Sequence, residues 1–207
     1  MIPVNVLAVR YLANAAPTLA QSLGAPKGYA CLAMLTTDCD DATYIALDAA
    51  TKAADVKVVY GRSFYAGAGN ATTPNAGEVI GILAGATPGA VRSGMEAALG
   101  YLQRVGFEQT HGVPYLAHTI ASAGTYLSGE AGVPVGSALA YLIAPPLESM
   151  YALDGALKAA DVKLCRLYAP PSETNFGGGL LSGSQSACMA ACAAFAAAVS
   201  EAARSPK

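Results

Sequence analysis

Charged side chains are scarce in this chain of 207 residues. Only 13% are Asp, Glu, Lys or Arg, and the 12 basic against 14 acidic residues leave a net charge of −2. That share is about half of what soluble domains usually carry. Because neither sign dominates, a nucleic-acid partner has no electrostatic support. A chain with so little charge is expected to bury part of its surface against copies of itself.

Cysteines are few and lack the spacing of a metal or redox motif. The five are an odd number and include no C-x-x-C pair, which fits reduced thiols in a cytosol. Cys188 and Cys192 lie four residues apart on a predicted helix face. A metal site would need further ligands that the sequence does not supply, so small buried thiols are the favoured interpretation, and no metal or cofactor is predicted.

A membrane-spanning segment is also not predicted. The longest apolar run, residues 187–199, is shorter than the roughly 20 residues that cross a bilayer, and it consists mostly of Ala and Cys. Near the N-terminus, Asn5 and Arg10 interrupt the apolar residues and no basic region precedes them. We therefore expect no signal peptide.

Catalytic constellations are equally hard to find. His111 and His118 are the only histidines, and their spacing on a predicted strand or turn places them on opposite faces. Ser182 lies in Leu-Ser-Gly, outside a Gly-x-Ser-x-Gly elbow. The sequence thus predicts a protein that is not an enzyme.

A repeated stretch organises the chain. Residues 46–57 read ALDAATKAADVK and residues 152–163 read ALDGALKAADVK, which differ at two of twelve positions. Glycines and prolines at 24, 26 and 28 recur at 132, 134 and 136, and Gly85 recurs at Gly183. A match this close indicates an internal duplication. We predict two equivalent domains, residues 1–104 and 105–207.

Each half has the same predicted order: strand, helix, strand, strand, helix. In the first half the strands cover residues 29–37, 56–65 and 78–83, with helices at about 41–54 and 88–104, the latter capped by Thr87. In the second half, helices begin near Leu147 and Ser184. This order predicts an α/β fold of the α+β sandwich type, with a mostly antiparallel sheet flanked by helices in each half.

The repeat also carries a family resemblance. Helix–Lys-Ala-Ala-Asp-Val–strand, together with TTDCDDATYIALD, VVYGRSFYAGAG, AYLIAPPLES and PPSETNF followed by SGSQSACMAAC, resembles the tandem-domain shell proteins of bacterial microcompartments, and among them those of ethanolamine utilisation. The resemblance implies two permuted microcompartment domains, a homotrimer with a pseudohexagonal outline, edge-to-edge tiling with other shell proteins, and a pore.

Acidic residues gather at a predicted helix start. Helix capping accounts for one or two of Asp38, Asp40 and Asp41, and it is the favoured role for Asp38. In the expected fold this helix start lies near the strand opened by Glu78, and converging carboxylates would attract a small cation. We hypothesise that Asp40, Asp41 and Glu78 recognise a small amine such as ethanolamine. Capping plus solvated surface is the alternative.

Aromatic residues complete this hypothetical amine site. Phe107 would cover the apolar side of the amine, or Tyr65 would do so by a cation–π contact. The site would then form a narrow pore or pocket.

Two loops are candidates for a gate. Residues 66–77 are rich in Gly, Asn and Pro, and the loop 170–179 joins the corresponding strands of the second half. The first lacks the following helix and the Lys-Ser/Thr of a phosphate-binding loop. The resemblance implies gating, and an ordinary surface loop is the alternative. The candidate residues are Gly67, Gly69, Asn70, Asn175 and Gly177.

Lys52 and Lys158 occupy the same place in the two repeats. They match the family's Lys-Ala-Ala lysine, and the resemblance implies a tile edge that contacts the next tile. The alternative is a solvated lysine in an i,i+4 pair with Asp48 or Asp154. For the whole chain, the alternative to a shell tile is a trimeric cytosolic sensor of a small metabolite, which sheet formation would distinguish.

Overall fold

The computed structural model describes residues 1–64 and 73–205. These residues form two compact units. The first unit comprises Pro3–Gly106 together with Gly124–Tyr126, and the second comprises Met1–Ile2, Phe107–Ala123 and the residues from Leu127 onward. The short segment Gly124–Tyr126 is therefore part of the second repeat by sequence but packs with the first.

The first unit is a four-stranded sheet with helices. Its strands are β1 (Val6–Leu12), β2 (Cys31–Thr37), β3 (Val56–Ser63) and β4 (Val79–Gly85), and its helices are α1 (Pro17–Ser22), α2 (Asp40–Ala53) and α3 (Pro88–Leu102). The strand order is β1-β2-β4-β3 and every pair is antiparallel. The central strands β2 and β4 are almost wholly buried, because α2 and α3 pack on them.

The second unit repeats this architecture with an added hairpin strand. Its elements are β5 (Glu108–Thr110), β6 (Val113–Ile120), α4 (Thr125–Ala131), β7 (Ala138–Ala144), α5 (Pro146–Ala159), β8 (Val162–Tyr168), β9 (Gly177–Gly183) and α6 (Gln185–Arg204). The strand order is β5-β6-β7-β9-β8, again antiparallel throughout. The predicted order and the α/β class of two antiparallel layers with helices are confirmed.

Two helices begin at side-chain caps, of which Thr87 was predicted as a cap and Ser184 only as a helix start. Thr87 accepts a hydrogen bond from the backbone N–H of Ala90 at 3.1 Å, with Pro88 at the first helical position. Ser184 accepts one from Ala187 at 3.1 Å. Both bonds satisfy backbone donors that the first helical turn leaves free.

Helix α6 fills the core of the second unit. Among the residues described, it alone is long and apolar enough to cross a membrane by length and composition, although the apolar run within it was expected to be too short. Its buried face packs in the apolar cluster formed by β7, α5 and β9. Cys188 and Cys192 belong to that face, and Cys192 accepts a hydrogen bond from Thr119 at 3.3 Å. Both thiols are core residues.

Candidate functional site

Three strand ends of the first unit lie side by side. Thr37, the last residue of β2, pairs with Val79, the first of β4, and Val79 also pairs with Ser63, the last of β3. Because β2 leads directly into α2, the start of that helix lies at the same edge of the sheet as Glu78. The topology thereby gathers the acidic residues that are separate in sequence.

Backbone contacts fix Glu78 against the end of β2. Its N–H donates to the Thr37 carbonyl at 2.8 Å, and its carbonyl accepts from Phe64 at 2.9 Å. The preceding residue, Gly77, has φ +66°, and a Cβ there would lie 2.0 Å from the Thr37 carbonyl oxygen. Only glycine fits such a left-handed, crowded position. Gly77 therefore allows Glu78 to approach α2.

Asp40 is buried at the first turn of α2, with 8% of its surface exposed. Its carboxylate accepts a hydrogen bond from the backbone N–H of Asp41 at 2.8 Å and another from the Ser63 hydroxyl. The Ser63 hydroxyl also lies 2.5 Å from the phenol oxygen of Tyr44. Asp41 is buried as well, with 7% exposed. A continuous polar network thus surrounds the helix start.

Raised pKa values distinguish the carboxyls of Asp40 and Glu78 from those of a solvated acidic surface. Burial raises the pKa of the Asp40 carboxyl above its ordinary 3.8, while the hydrogen bonds from Ser63 and Asp41 oppose the rise. The pKa of Glu78 also lies above its ordinary 4.5, first because of burial and then because of the negative charges of Asp40 and Asp38. Two carboxylates that repel each other in a partly dry site gain stability from a cation placed between them.

A thiol and two hydroxyls line the inner side of this network. Thr37 and Thr43, both fully buried, are joined through their hydroxyls at 2.7 Å, and Thr43 donates to the Cys39 carbonyl at 2.8 Å. The pKa of the Cys39 thiol is strongly raised, mainly by burial and further by the charges of Asp41 and Asp40. Cys39 is therefore a neutral thiol and contributes no negative charge.

Asp38 has a different role from its neighbours. Its carboxylate accepts hydrogen bonds from the backbone N–H and the side-chain amide of Asn5, at 2.8 and 2.6 Å. It ties the residues before β1 to the end of β2 and remains exposed. Helix α2 receives no side-chain cap, so the predicted capping role is not the role of Asp38.

The two aromatic candidates for the site are Phe107 and Tyr65. Phe107 belongs to the second unit, where its ring meets Phe176 edge-on with centroids 5.5 Å apart. Its part in an amine pocket stays a prediction. Tyr65 lies outside the described residues, as do the gate candidates Gly67, Gly69 and Asn70.

The second predicted gate loop is shorter than expected. Strand β9 begins at Gly177, which is buried and pairs with Ala144, so the loop ends before Gly177 and not at residue 179. A Cβ on Gly177 would lie 2.9 Å from the Ser149 hydroxyl, which shows how closely the strand is packed. Asn175 stays in the loop, with φ +65° and its N–H bonded to the Ser172 carbonyl at 3.1 Å.

Among the described residues, the acidic group occurs in the first unit and has no counterpart in the second. The duplication aligns the positions of Asp40, Asp41, Ser63 and Glu78 with Pro146, Leu147, Ala169 and Phe176. None of these counterparts carries a charge or a hydroxyl. The first unit therefore holds a polar site at the place where the second unit is apolar.

Lys52 and Lys158 lie in the last turns of α2 and α5, in different surroundings. Lys52 lies 3.2 Å from Asp48, whose side chain is fully buried, and 34% of the lysine side chain stays exposed. Lys158 pairs with Asp154 at 2.6 Å, with 75% and 63% of the two side chains exposed. Both lysines reach solvent, and their role at a tile edge stays a prediction.

Sequence reasoning missed Ser63, Tyr44 and Thr43 as members of the site. None stands out by type, but Ser63 ends β3 and could have been found from strand order alone. It also missed the contacts that Asp48 makes outside its own helix. Thr51, one of the two positions at which the repeats differ, is the residue that could have indicated these contacts.

Comparison with known proteins agrees with this architecture. A model of the BMC domain matches residues 31–114. The bacterial microcompartment shell protein EutL of Clostridium perfringens strain 13 is 56% identical over 210 residues, covering 100% of this chain and 97% of the relative.

Solved structures give the same result. A crystal structure of EutL from Clostridium perfringens superposes with a TM-score of 0.95 and covers 99% of this chain and 95% of that one. The ethanolamine utilization protein EutL of Leptotrichia buccalis C-1013-b is 57% identical, with a TM-score of 0.95 and coverage of 99% and 96%. The chain belongs to the EutL family of bacterial microcompartment shell proteins.

Proposed function

We propose that this protein is a trimeric shell tile of a cytosolic microcompartment that houses ethanolamine utilisation. The observation that carries the proposal is the pairing of two units with the same order of elements in one chain, combined with likeness to EutL over the full length. Three such chains in a closed ring present six similar domains, and a pseudohexagonal outline fills a plane by edge contacts.

Likeness to microcompartment shell proteins supports a role as a barrier and not as a catalyst. Among the described residues, no group of three or more His, Cys, Asp or Glu side chains could hold a metal ion. Burial raises the pKa values of the Cys39, Cys188 and Cys192 thiols away from reactivity. Such a tile controls the passage of small molecules through a pore. Residues 66–77 and the loop that contains Asn175 gate that pore.

The acidic group at the start of α2 is the proposed amine site. Asp40 and Glu78 offer carboxylates with raised pKa values in a partly dry setting, and Asp41 adjoins them. An ammonium group would relieve their mutual repulsion and donate charge-assisted hydrogen bonds. The Ser63 hydroxyl donates to Asp40 and the Tyr44 hydroxyl adjoins that of Ser63, so polar groups suited to the hydroxyl of an amino alcohol are at hand.

Tiling is tested by removing the repeat lysines. We expect the unaltered protein to sediment as a trimer and to form hexagonally spaced layers in negative-stain electron microscopy at high concentration. The variant Lys52→Ala with Lys158→Ala should remain a trimer but form no layers, because the exposed lysines supply the edge contacts between tiles.

The control for this experiment is Lys57→Ala with Lys163→Ala. These lysines also occupy matching repeat positions and are exposed, so the control removes the same charge from another surface. Layers that survive in the first variant would contradict the edge role. An unaltered trimer that never forms layers, even at low salt, would overturn the tile and favour the metabolite sensor.

A further inference from the structure

Two hydroxyl groups connect the Asp40 carboxylate to strand β3. The Ser63 hydroxyl, at the end of β3, forms a hydrogen bond with Asp40 that lowers the pKa of this carboxyl. The phenol oxygen of Tyr44 lies 2.5 Å from the Ser63 hydroxyl oxygen. Because Tyr44 follows Asp40 by four residues on α2, both side chains lie on one face of the helix. Helix and strand thereby hold the three groups side by side.

The direction of each hydrogen bond follows from the number of protons. An ionised carboxylate only accepts hydrogen bonds, and a hydrogen bond that lowers the pKa of a carboxyl is made to its charged form. Ser63 therefore donates its single hydroxyl proton to Asp40. Since that proton is not available to Tyr44, the phenol donates to the Ser63 oxygen. The hydrogen bonds run from Tyr44 through Ser63 to Asp40, and we call these three groups the hydroxyl relay.

A glycine and a second ring hold the Tyr44 ring in place. A Cβ on Gly61 of β3 would lie 3.3 Å from the Tyr44 ring and 2.8 Å from the Tyr126 hydroxyl, so both rings use the space that this glycine leaves. The two ring centroids are 6.2 Å apart. Close packing of this kind restricts the rotamers open to Tyr44 and keeps its phenol directed at Ser63.

The second unit has no equivalent of the hydroxyl relay. The duplication aligns Asp40, Tyr44, Gly61 and Ser63 with Pro146, Met150, Leu167 and Ala169. None of the four counterparts carries a carboxylate or a hydroxyl. The carboxylate, the two hydroxyls and the glycine that makes room for the ring therefore occur together in one unit and are replaced together in the other. This joint replacement indicates that they act as one group.

The hydroxyls around the site have no proton left for a ligand. Both relay protons are directed at protein acceptors. On the inner side, the hydroxyls of Thr37 and Thr43 lie 2.7 Å apart, and they lie 3.0 and 2.8 Å from the Cys39 carbonyl oxygen, so their two protons are used as well. A hydroxyl oxygen has two lone pairs, and Ser63 uses one of them for the phenol. These hydroxyls therefore offer a ligand acceptors and no donors.

We propose that the hydroxyl relay orients the Asp40 carboxylate and sets the selectivity of the amine site. Ser63 meets the ligand as an acceptor, and Tyr44 is a positioning residue that acts through Ser63. The site takes small primary ammonium ions, whose N–H groups reach the carboxylates and the Ser63 oxygen, in preference to quaternary ammonium ions, which have no N–H. This inference deepens the proposed amine site and rests on it.

Calorimetry with ethanolamine tests the hydroxyl relay. We expect Ser63→Ala to weaken binding at least about tenfold, because Asp40 loses a charge-assisted hydrogen bond that orients it. Tyr44→Phe keeps the packed ring and should weaken binding at least about threefold, because the Ser63 hydroxyl loses the donor that fixes it. Circular dichroism checks that both variants keep the fold.

A double-mutant cycle shows whether Tyr44 acts through Ser63. In the Ser63→Ala background, Tyr44→Phe should cause no further loss, because the group that it positions is absent. Losses that multiply in the double variant would show that the two hydroxyls act independently and would contradict the relay. The matched control is Tyr115→Phe, which removes a phenol bonded to the Glu108 carboxylate at 3.0 Å in the second unit and should leave binding unchanged.

A pair of simpler ligands measures the selectivity. Methylammonium and tetramethylammonium carry the same charge, but only the first has N–H groups. We expect the unaltered protein to prefer methylammonium, and Ser63→Ala should reduce the ratio of the two affinities at least about threefold, because one acceptor for the N–H groups is gone. An unchanged ratio would overturn the role of Ser63 in selectivity.

The outcomes separate the hydroxyl relay from the proposed amine site. An unaltered protein that binds no ethanolamine overturns the site and the relay together. Binding that is weakened by Asp40→Asn with Glu78→Gln, but is unchanged in Ser63→Ala and in Tyr44→Phe, supports the site and overturns only the relay.

Discussion

Asp48→Ala is expected to lower the free energy of unfolding by about 3 kcal/mol, whereas Asp154→Ala should change it by less than about 1 kcal/mol. The two aspartates stand at the same position of the repeat, each four residues before a lysine. Asp48 is fully buried and also accepts the Gly124 N–H, so its loss leaves a buried donor without its acceptor. Asp154 is mostly exposed beside Lys158.

Urea denaturation at one fixed protein concentration measures this difference. Asp48→Asn separates the two contributions, because the amide oxygen still accepts from Gly124 while the charge beside Lys52 is gone. We expect its cost to lie between those of Asp48→Ala and Asp154→Ala. Equal costs for the two alanine variants would show that the buried contact with Gly124 contributes nothing to stability.

Asp40→Asn with Glu78→Gln is expected to weaken ethanolamine binding at least about tenfold, measured by calorimetry. The reason is that charge-assisted hydrogen bonds contribute about 1.5–3 kcal/mol each, and tenfold corresponds to about 1.4 kcal/mol. Both substitutions keep the shape of the side chain, and the amide oxygen introduced at position 40 can still accept from the Asp41 N–H. The control is Glu148→Gln with Asp161→Asn, which removes the same charge from a half-buried and an exposed position of the second unit. Unchanged binding in the first variant would rule out the amine site.

The raised pKa values also predict a pH dependence. Below neutral pH, protons compete with the amine for Asp40 and Glu78, so affinity should fall as pH drops through the window above their ordinary values of 3.8 and 4.5. In that window the folded, empty protein binds more protons than the unfolded chain, so these two groups favour folding less as pH rises. The double variant should therefore gain stability over the unaltered protein at pH 7 and lose that gain as pH falls. Thermal melts across this range, without ligand, measure the effect, and a gain independent of pH would contradict the assignment.

Local sequence signals were enough for most elements of the fold. The twelve-residue repeat, the Thr87 cap and the apolar strands predicted the order of helices and strands, because each depends on neighbours within a few residues. The end of the second gate loop was missed because Gly177–Gly183 looks like loop sequence. Glycines occupy the start of this strand because the Ser149 side chain approaches Gly177, and the backbone carbonyls of neighbouring strands approach Gly178 and Gly179. This closeness is not visible in the sequence.

The acidic site was predicted only in outline. The cluster at 38–41 and the position of Glu78 pointed to one sheet edge, since antiparallel neighbours bring a strand end and a strand start together. The separate roles of the three aspartates could not be predicted, because Asp38 is bonded to Asn5, 33 residues away, while Asp40 and Asp41 are buried.

The sequence by itself determined that the chain is a duplication of one antiparallel sheet-and-helix layer, because periodicity and capping act over short distances. Only the tertiary structure decided that the two copies are not equivalent. Ten of twelve residues are shared by the repeats, yet Asp48 is buried and Asp154 is exposed. The difference comes from Gly124, 76 residues from Asp48, and burial depends on such distant neighbours and not on the local sequence.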